Sequence, residues 1–178
     1  MEKLNQVKIE LHPFAPSDRE ALAQLMNGAD RRYLSDRLPS PYTLDSADWW
    51  LEHIAQEEKE GKGLFRAIAA DGRLAGNISV ERKEDVYCLD GELGYLLDRS
   101  FWGRGIATLA VGHFCREVFE RLDLERITAA VYAPNIASRR VLEKNGFSLE
   151  GTIRRGVVKN GAICDLCLYG LLREEAGR

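Results

Sequence analysis

Two dipeptides constrain this chain more than any other feature. Asp71-Gly72 stands between the runs 64–70 and 73–81, and Asn160-Gly161 between 147–158 and 162–172. Asp-Gly and Asn-Gly tolerate the positive φ of a tight turn, so each pair of runs reads as a β-hairpin. Hairpins make antiparallel neighbours, whereas parallel neighbours need a crossover. Three connections read as hairpins and only two as helical crossovers. The first crossover is 105–122, with Ile106, Leu109, Ala110, His113/Phe114 and Val118 at helical spacing. The second is a short helix capped by Asn135 and ending at Gly146.

The remaining elements fill in the plan. Val7, Ile9 and Leu11 alternate as a first strand. Ser17 and Glu20 form a capping box for a helix through Ala21, Leu22, Leu25 and Met26, stopping at Gly28. An Arg- and Pro-rich loop covers 30–42. Asp45 or Ser46 then caps a second helix, with Trp50 and Ile54 on one face and Gly61 at its end. Residues 92–98 and 126–132 are strands. The expected fold is α/β (α+β): a single mixed, largely antiparallel twisted sheet of about six to seven strands with about four helices.

Composition narrows the function. The 178 residues, 45% hydrophobic and 30% charged, suit one domain spanning 1–178. A net charge of -3 fits poorly with nucleic-acid phosphates, and the arginine pairs (31–32, 139–140, 154–155) are scattered. No apolar run approaches the ~20 residues of a membrane span, and 1–13 lacks a signal-peptide core. Cys88, Cys115, Cys164 and Cys167 do not form a disulfide framework, so reduced thiols and a cytoplasmic setting are expected. Cys164 and Cys167 have half-zinc-site spacing without a second pair, and no metal is expected.

The stretch 94–108 is the most informative: a strand, a short loop and a helix opened by Gly103 and Gly105. It reads either as an anion site or as a helix entry whose glycines only make the turn. Glycines there let an anion approach backbone N–H groups, where the helix dipole favours it, and Arg104 adds a full charge. A Walker A loop would need Gly-Lys-Ser/Thr, which is absent. A dinucleotide fingerprint would need a third glycine near Thr108 and an acid ending the next strand, which instead ends in Tyr132-Ala133-Pro134-Asn135.

Trp102-Gly103-Arg104-Gly105-Ile106-Ala107 resembles the acetyl-coenzyme A pyrophosphate loop, Gln/Arg-x-x-Gly-x-Gly/Ala, of the GCN5-related N-acetyltransferases (GNAT). Trp102 takes the place of the first residue. The run 135–147, from Asn135 to Gly146-Phe147, resembles the family's second motif at the expected distance. Glu92-Leu93-Gly94-Tyr95 and Asn160-Gly161 also fit, so the resemblance covers nearly the whole chain. The branch resembled is that of ribosomal-protein N-terminal (alanine/serine) acetyltransferases.

The resemblance implies a sheet with splayed central strands. The backbone of Leu96 and Leu97 would pair with pantetheine as an added strand does. The backbone from Trp102 and Gly103 through Arg104, Gly105, Ile106 and Ala107 to Thr108 would wrap the diphosphate. Asn135 would cap its helix and contact the cofactor, and Arg139 and Lys144 would meet the ribose phosphate. Ser138 would donate to the departing thiolate, whose thiol has a pKa near ~8.5. The tyrosine that many relatives carry one turn further on is here Leu142. The amine must shed a proton, at a cost of about 1 kcal/mol at pH 7 for an α-amine and about 4.6 for lysine. The resemblance implies Glu92 as base, because it sits on the strand that lines the acetyl group in family members and related enzymes use a glutamate near there. The last-hairpin glutamate of some ribosomal-protein acetyltransferases falls here near Val157, a departure that leaves Glu92 or no base. Trp49 or Trp50 would be core, or touch acceptor. The implied activity is acetyl transfer from acetyl-CoA to a primary amine in a ternary complex. A ribosomal-protein N-terminus is the expected acceptor. The rivals are a polyamine or antibiotic acceptor, a non-catalytic acyl-CoA sensor, or a nucleotide-binding protein. A homodimer is expected; a nucleic-acid or membrane partner is not.

Overall fold

Asp71 and Gly72 take φ of 51° and 75°, and Asn160 and Gly161 take 50° and 77°, so both dipeptides make the turns they predict. The computed structural model describes residues 8–177; Val7 of the expected first strand lies outside the described residues. The strands are β1 (Ile9–His12), β2 (Gly63–Ala70), β3 (Arg73–Arg82), β4 (Asp90–Leu97), β5 (Arg126–Tyr132), β6 (Ser148–Lys159) and β7 (Ala162–Leu172). They form one sheet in the order β1-β2-β3-β4-β5-β7-β6. Only β4 and β5 run parallel. Every other neighbouring pair is antiparallel.

Four helices pack on this sheet: α1 (Arg19–Gly28), α2 (Leu44–Lys59), α3 (Ile106–Arg121) and α4 (Ile136–Lys144). Two starts differ from expectation. A 3-10 turn, Pro16–Asp18, precedes α1, so the Ser17–Glu20 box is not formed; the Asp18 side chain instead accepts from Ala15 N–H at 2.8 Å. Thr43, not Asp45 or Ser46, caps α2, with its hydroxyl accepting from Ser46 N–H at 3.1 Å.

Strand alternation divides the core. Leu93, Tyr95 and Leu97 of β4 face α3 and α4, together with Ile127, Ala129 and Val131 of β5 and the fully buried Phe114 and Tyr169. Leu96 points the other way, into a smaller core of Leu22, Met26, Leu51, Ile54 and Phe65 under α1 and α2. Trp50 belongs to that second core, edge-on to Phe14 and Phe65, while Trp49 is exposed and stacks on His53.

Candidate active site

β4 pairs with β5 only from Asp90 to Glu92, against Arg126 to Thr128, and beyond that point the strands part. Their outer sides stay tied, β4 to β3 through Leu97 and β5 to β7 through Tyr132. Asp90 and Asp98 bond to β3 through Lys83 N and Ala75 O, at 2.9 and 2.8 Å. The Leu96 carbonyl also lies on that side, so close that a Cβ on Gly76 would meet it at 2.2 Å. Alternation therefore turns the backbone polar groups of Leu93, Tyr95 and Leu97 into the slot. The backbone of Leu97 thus turns into the slot, while that of Leu96 serves β3. The Leu97 carbonyl accepts from the Trp102 indole at 2.8 Å, and the Arg99 guanidinium lies over the exposed Trp102 ring.

A cleft of about 250 Å³ opens at the end of the slot. Gly103, Gly105, Ile106, Ala107 and Thr108 form one wall, Leu97 and Phe101 its head, and Ala137, Arg140, Val141 and Lys144 the wall from α4. Gly103 and Gly105 have φ of 73° and 75°, and a Cβ on either would meet nothing within 4 Å. Glycine is needed there for the left-handed turn, and the space above it stays free. Gly105 caps α3 without a side-chain acceptor, leaving the first-turn N–H groups aimed at the cleft.

The two charged expectations divide. Lys144 lines the cleft, but Arg139 does not. Its Nε donates to the Tyr169 hydroxyl at 3.0 Å and its Nη1 reaches the Ala133 carbonyl at 3.4 Å. Tyr169 in turn donates to Glu143 at 2.9 Å. Arg140, a ~100° helical step on, takes the cleft position instead. The Arg104 guanidinium also points away, paired with Asp71 at 2.6 Å and lying over Phe101, so the loop offers its backbone alone.

Asn135 caps α4 by accepting from Ser138 N–H at 3.3 Å and does not line the cleft. The Ser138 hydroxyl lies 2.7 Å from the Tyr95 hydroxyl, and Tyr95 also reaches the Ser138 carbonyl at 3.3 Å. Burial pushes the Tyr95 phenol up to about 12, against the opposing pull of the Ser138 bond. Sequence reasoning missed Tyr95. Its signal was the alternation that puts it on the side of Leu93 and Leu97, facing α4. Glu92 occupies the other face, exposed, at the last paired position before the slot; its neighbours in register are Thr128 and Glu81.

Other polar candidates fall elsewhere. Cys164 pairs with Val157 and Cys167 with Thr152 in the terminal hairpin. Among the described residues no three His, Cys, Asp or Glu side chains are grouped to hold a metal. Burial pushes the Cys115 thiol up to about 12.

Residues 8–148 match the family model described as acetyltransferase (GNAT) domain. The chain is 33% identical over 177 residues to the putative ribosomal N-acetyltransferase YdaF of Bacillus subtilis, covering 97% of this chain and 95% of that protein. It is 27% identical over 164 residues, 90% of each chain, to the ribosomal-protein-serine acetyltransferase of Escherichia coli. Mycobacterium smegmatis RimJ, solved in complex with CoA-disulfide, superposes with a TM-score of 0.84 at 25% identity, over 96% of this chain and 84% of that one.

Proposed function

Because the chain belongs to the GNAT acetyltransferase family and is an N-acetyltransferase, we propose that it moves acetyl from acetyl-CoA directly onto the α-amine of a protein N-terminus of the ribosomal kind. The parting of β4 and β5 after Glu92 carries this reading. A slot edged by the backbone groups of Leu93, Tyr95 and Leu97 suits the amides of pantetheine, and the glycine-opened helix start at its end suits the diphosphate. Arg140 and Lys144, both on the α4 wall of the cleft, are the cations that would meet the ribose phosphate.

Acid and base stand on opposite faces of the sheet. An amine entering on the Glu92 side gives its proton to that carboxylate, directly or through water, and attacks the thioester carbonyl lying in the slot. The tetrahedral intermediate collapses toward α4, where the C–S bond breaks, the Ser138 hydroxyl gives its proton to the departing sulfur, and the serine oxygen takes a proton back from water. The 29–43 loop flanks the entry: Tyr33 packs edge-on to Tyr132, its hydroxyl reaches the Pro134 carbonyl at 3.4 Å, and Asp36 pairs with Lys159. The relatives named for ribosomal acceptors support an α-amine.

Thiol release across a panel of N-terminal peptides, L-amino acids, polyamines and aminoglycosides tests the acceptor. Peptides should turn over fastest; a polyamine or aminoglycoside in first place would make it a small-amine enzyme. Ser138→Ala and Glu92→Gln should lose turnover while coenzyme A still raises the melting temperature. Turnover of no amine would leave an acyl-CoA-binding sensor. A working form in the cytoplasm, one domain per chain and paired as a homodimer, is part of the proposal. Among the described residues no helix is long and apolar enough to cross a membrane.

A further inference from the structure

We propose that Tyr95 is a positioning residue for acetyl transfer: its phenol donates to the Ser138 oxygen and so turns the Ser138 hydrogen toward the thioester sulfur. The inference rests on the acid role given to Ser138 above. Geometry carries it. The two hydroxyl oxygens are 2.7 Å apart, and the Ser138 carbonyl, the other acceptor within reach of the phenol, is further off at 3.3 Å. Tyr95 sits on the strand that edges the slot, between two residues whose backbone groups also turn into it.

A serine hydroxyl has one hydrogen and rotates freely about its C–O bond. Left alone, that hydrogen can settle on any nearby acceptor. A phenol hydrogen delivered to Oγ fixes one lone pair of the serine oxygen and leaves its own hydrogen to point elsewhere. It also polarises the serine O–H, because hydrogen bonds in a chain strengthen one another in a low-dielectric interior. No covalent bond to Tyr95 hydrogen need break. Burial disfavours the phenolate, so the phenol remains a donor through the neutral range.

The helix itself offers no second hydroxyl. One turn beyond Ser138 stands Leu142, fully buried in the core between α4 and the sheet. The phenol comes instead from β4, on the opposite side of the same serine. If Tyr95 were only a strut joining β4 to α4, its loss would lower stability and leave turnover dependent on Ser138 as before.

The test is a double-variant cycle on kcat, using acetyl-CoA and a hexapeptide with a free N-terminal serine. Tyr95→Phe should lower kcat by about ten-fold, the size of one well-placed hydrogen bond, with KM for acetyl-CoA within about two-fold of the parent. In a Ser138→Ala background the same change should move kcat by less than about two-fold, and Ser138→Thr should restore most of the Tyr95 dependence. The melting-temperature rise on adding coenzyme A controls for folding in each variant. If Ser138→Ala loses turnover and Tyr95→Phe does not, or if the two losses multiply, the positioning role is wrong and the acid role stands. If Ser138→Ala keeps full turnover, or the parent acetylates no amine, the acid role or the enzyme reading fails, and this inference falls with it.

Discussion

Arg139 and Arg140 are adjacent in the chain and do unrelated things. Arg139 satisfies the hydroxyl of the fully buried Tyr169, and Arg140 lines the cleft beside Lys144. Arg139→Ala should therefore lower the melting temperature, because a buried hydroxyl loses its donor at a cost of about 1–3 kcal/mol, or several degrees in a chain of this length. KM for acetyl-CoA should barely move. Arg140→Ala should do the reverse, raising that KM about three- to ten-fold with the melting temperature unchanged. The sequence shows only a basic pair within a short helix. Its apolar stripe, with Leu142 as the one buried residue, is too short to fix the helix's rotation, so which arginine faces the cleft was not legible. Tyr95 was hidden for a related reason: its partner lies 43 residues away on another element. Its phenol also fixes a pH dependence. A folded pKa of about 12 lies above the ordinary value of 10, so the neutral form is favoured in the native state. The stability that Tyr95 gives is therefore full below pH about 10 and lost as the pH climbs toward 12. Thermal melts should show the advantage of the parent over Tyr95→Phe shrinking across that window.

Elements were legible where a local rule decides them. Both tight hairpins follow from one dipeptide each, and α3 and α4 start where Gly105 and Asn135 say they do. Helix starts were misread where several capping residues compete. Residues 43–46 read Thr-Leu-Asp-Ser, and three of the four can cap. Thr43 wins because its hydroxyl reaches the amide three residues on and also meets the Ser46 hydroxyl at 3.0 Å. Thr43→Ala should then cost about 1 kcal/mol, or roughly 2–4 °C in melting temperature, while Asp45→Ala changes stability by less than about half as much. Equal losses at the two positions would return the cap to Asp45. Neither substitution touches the cleft, so turnover should follow that of the parent.

At the scale of the whole molecule, one connection makes both halves of the site. All the antiparallel neighbours pair along most of their lengths; β4 and β5, joined through α3 and running parallel, separate after three residues. The crossover that sets the slot also starts at Gly105, on the wall of the cleft. The glycine-opened helix start can be seen in the sequence. The point of separation cannot, because it depends on β3 and β7 each holding a central strand by its outer edge. In the proposed reaction the slot holds both substrates together, the donor toward α4 and the acceptor toward Glu92. The thiols nearest the slot are poor nucleophiles: Cys115 and Cys167 are buried, and burial disfavours the Cys115 thiolate. Transfer should therefore need both substrates at once. Initial rates at several fixed amine concentrations should give intersecting double-reciprocal lines, and radiolabelled acetyl-CoA alone should leave no acetyl on the protein. Parallel lines, with label retained after denaturation, would instead require an acetyl-enzyme and a nucleophile that this arrangement of strands does not provide.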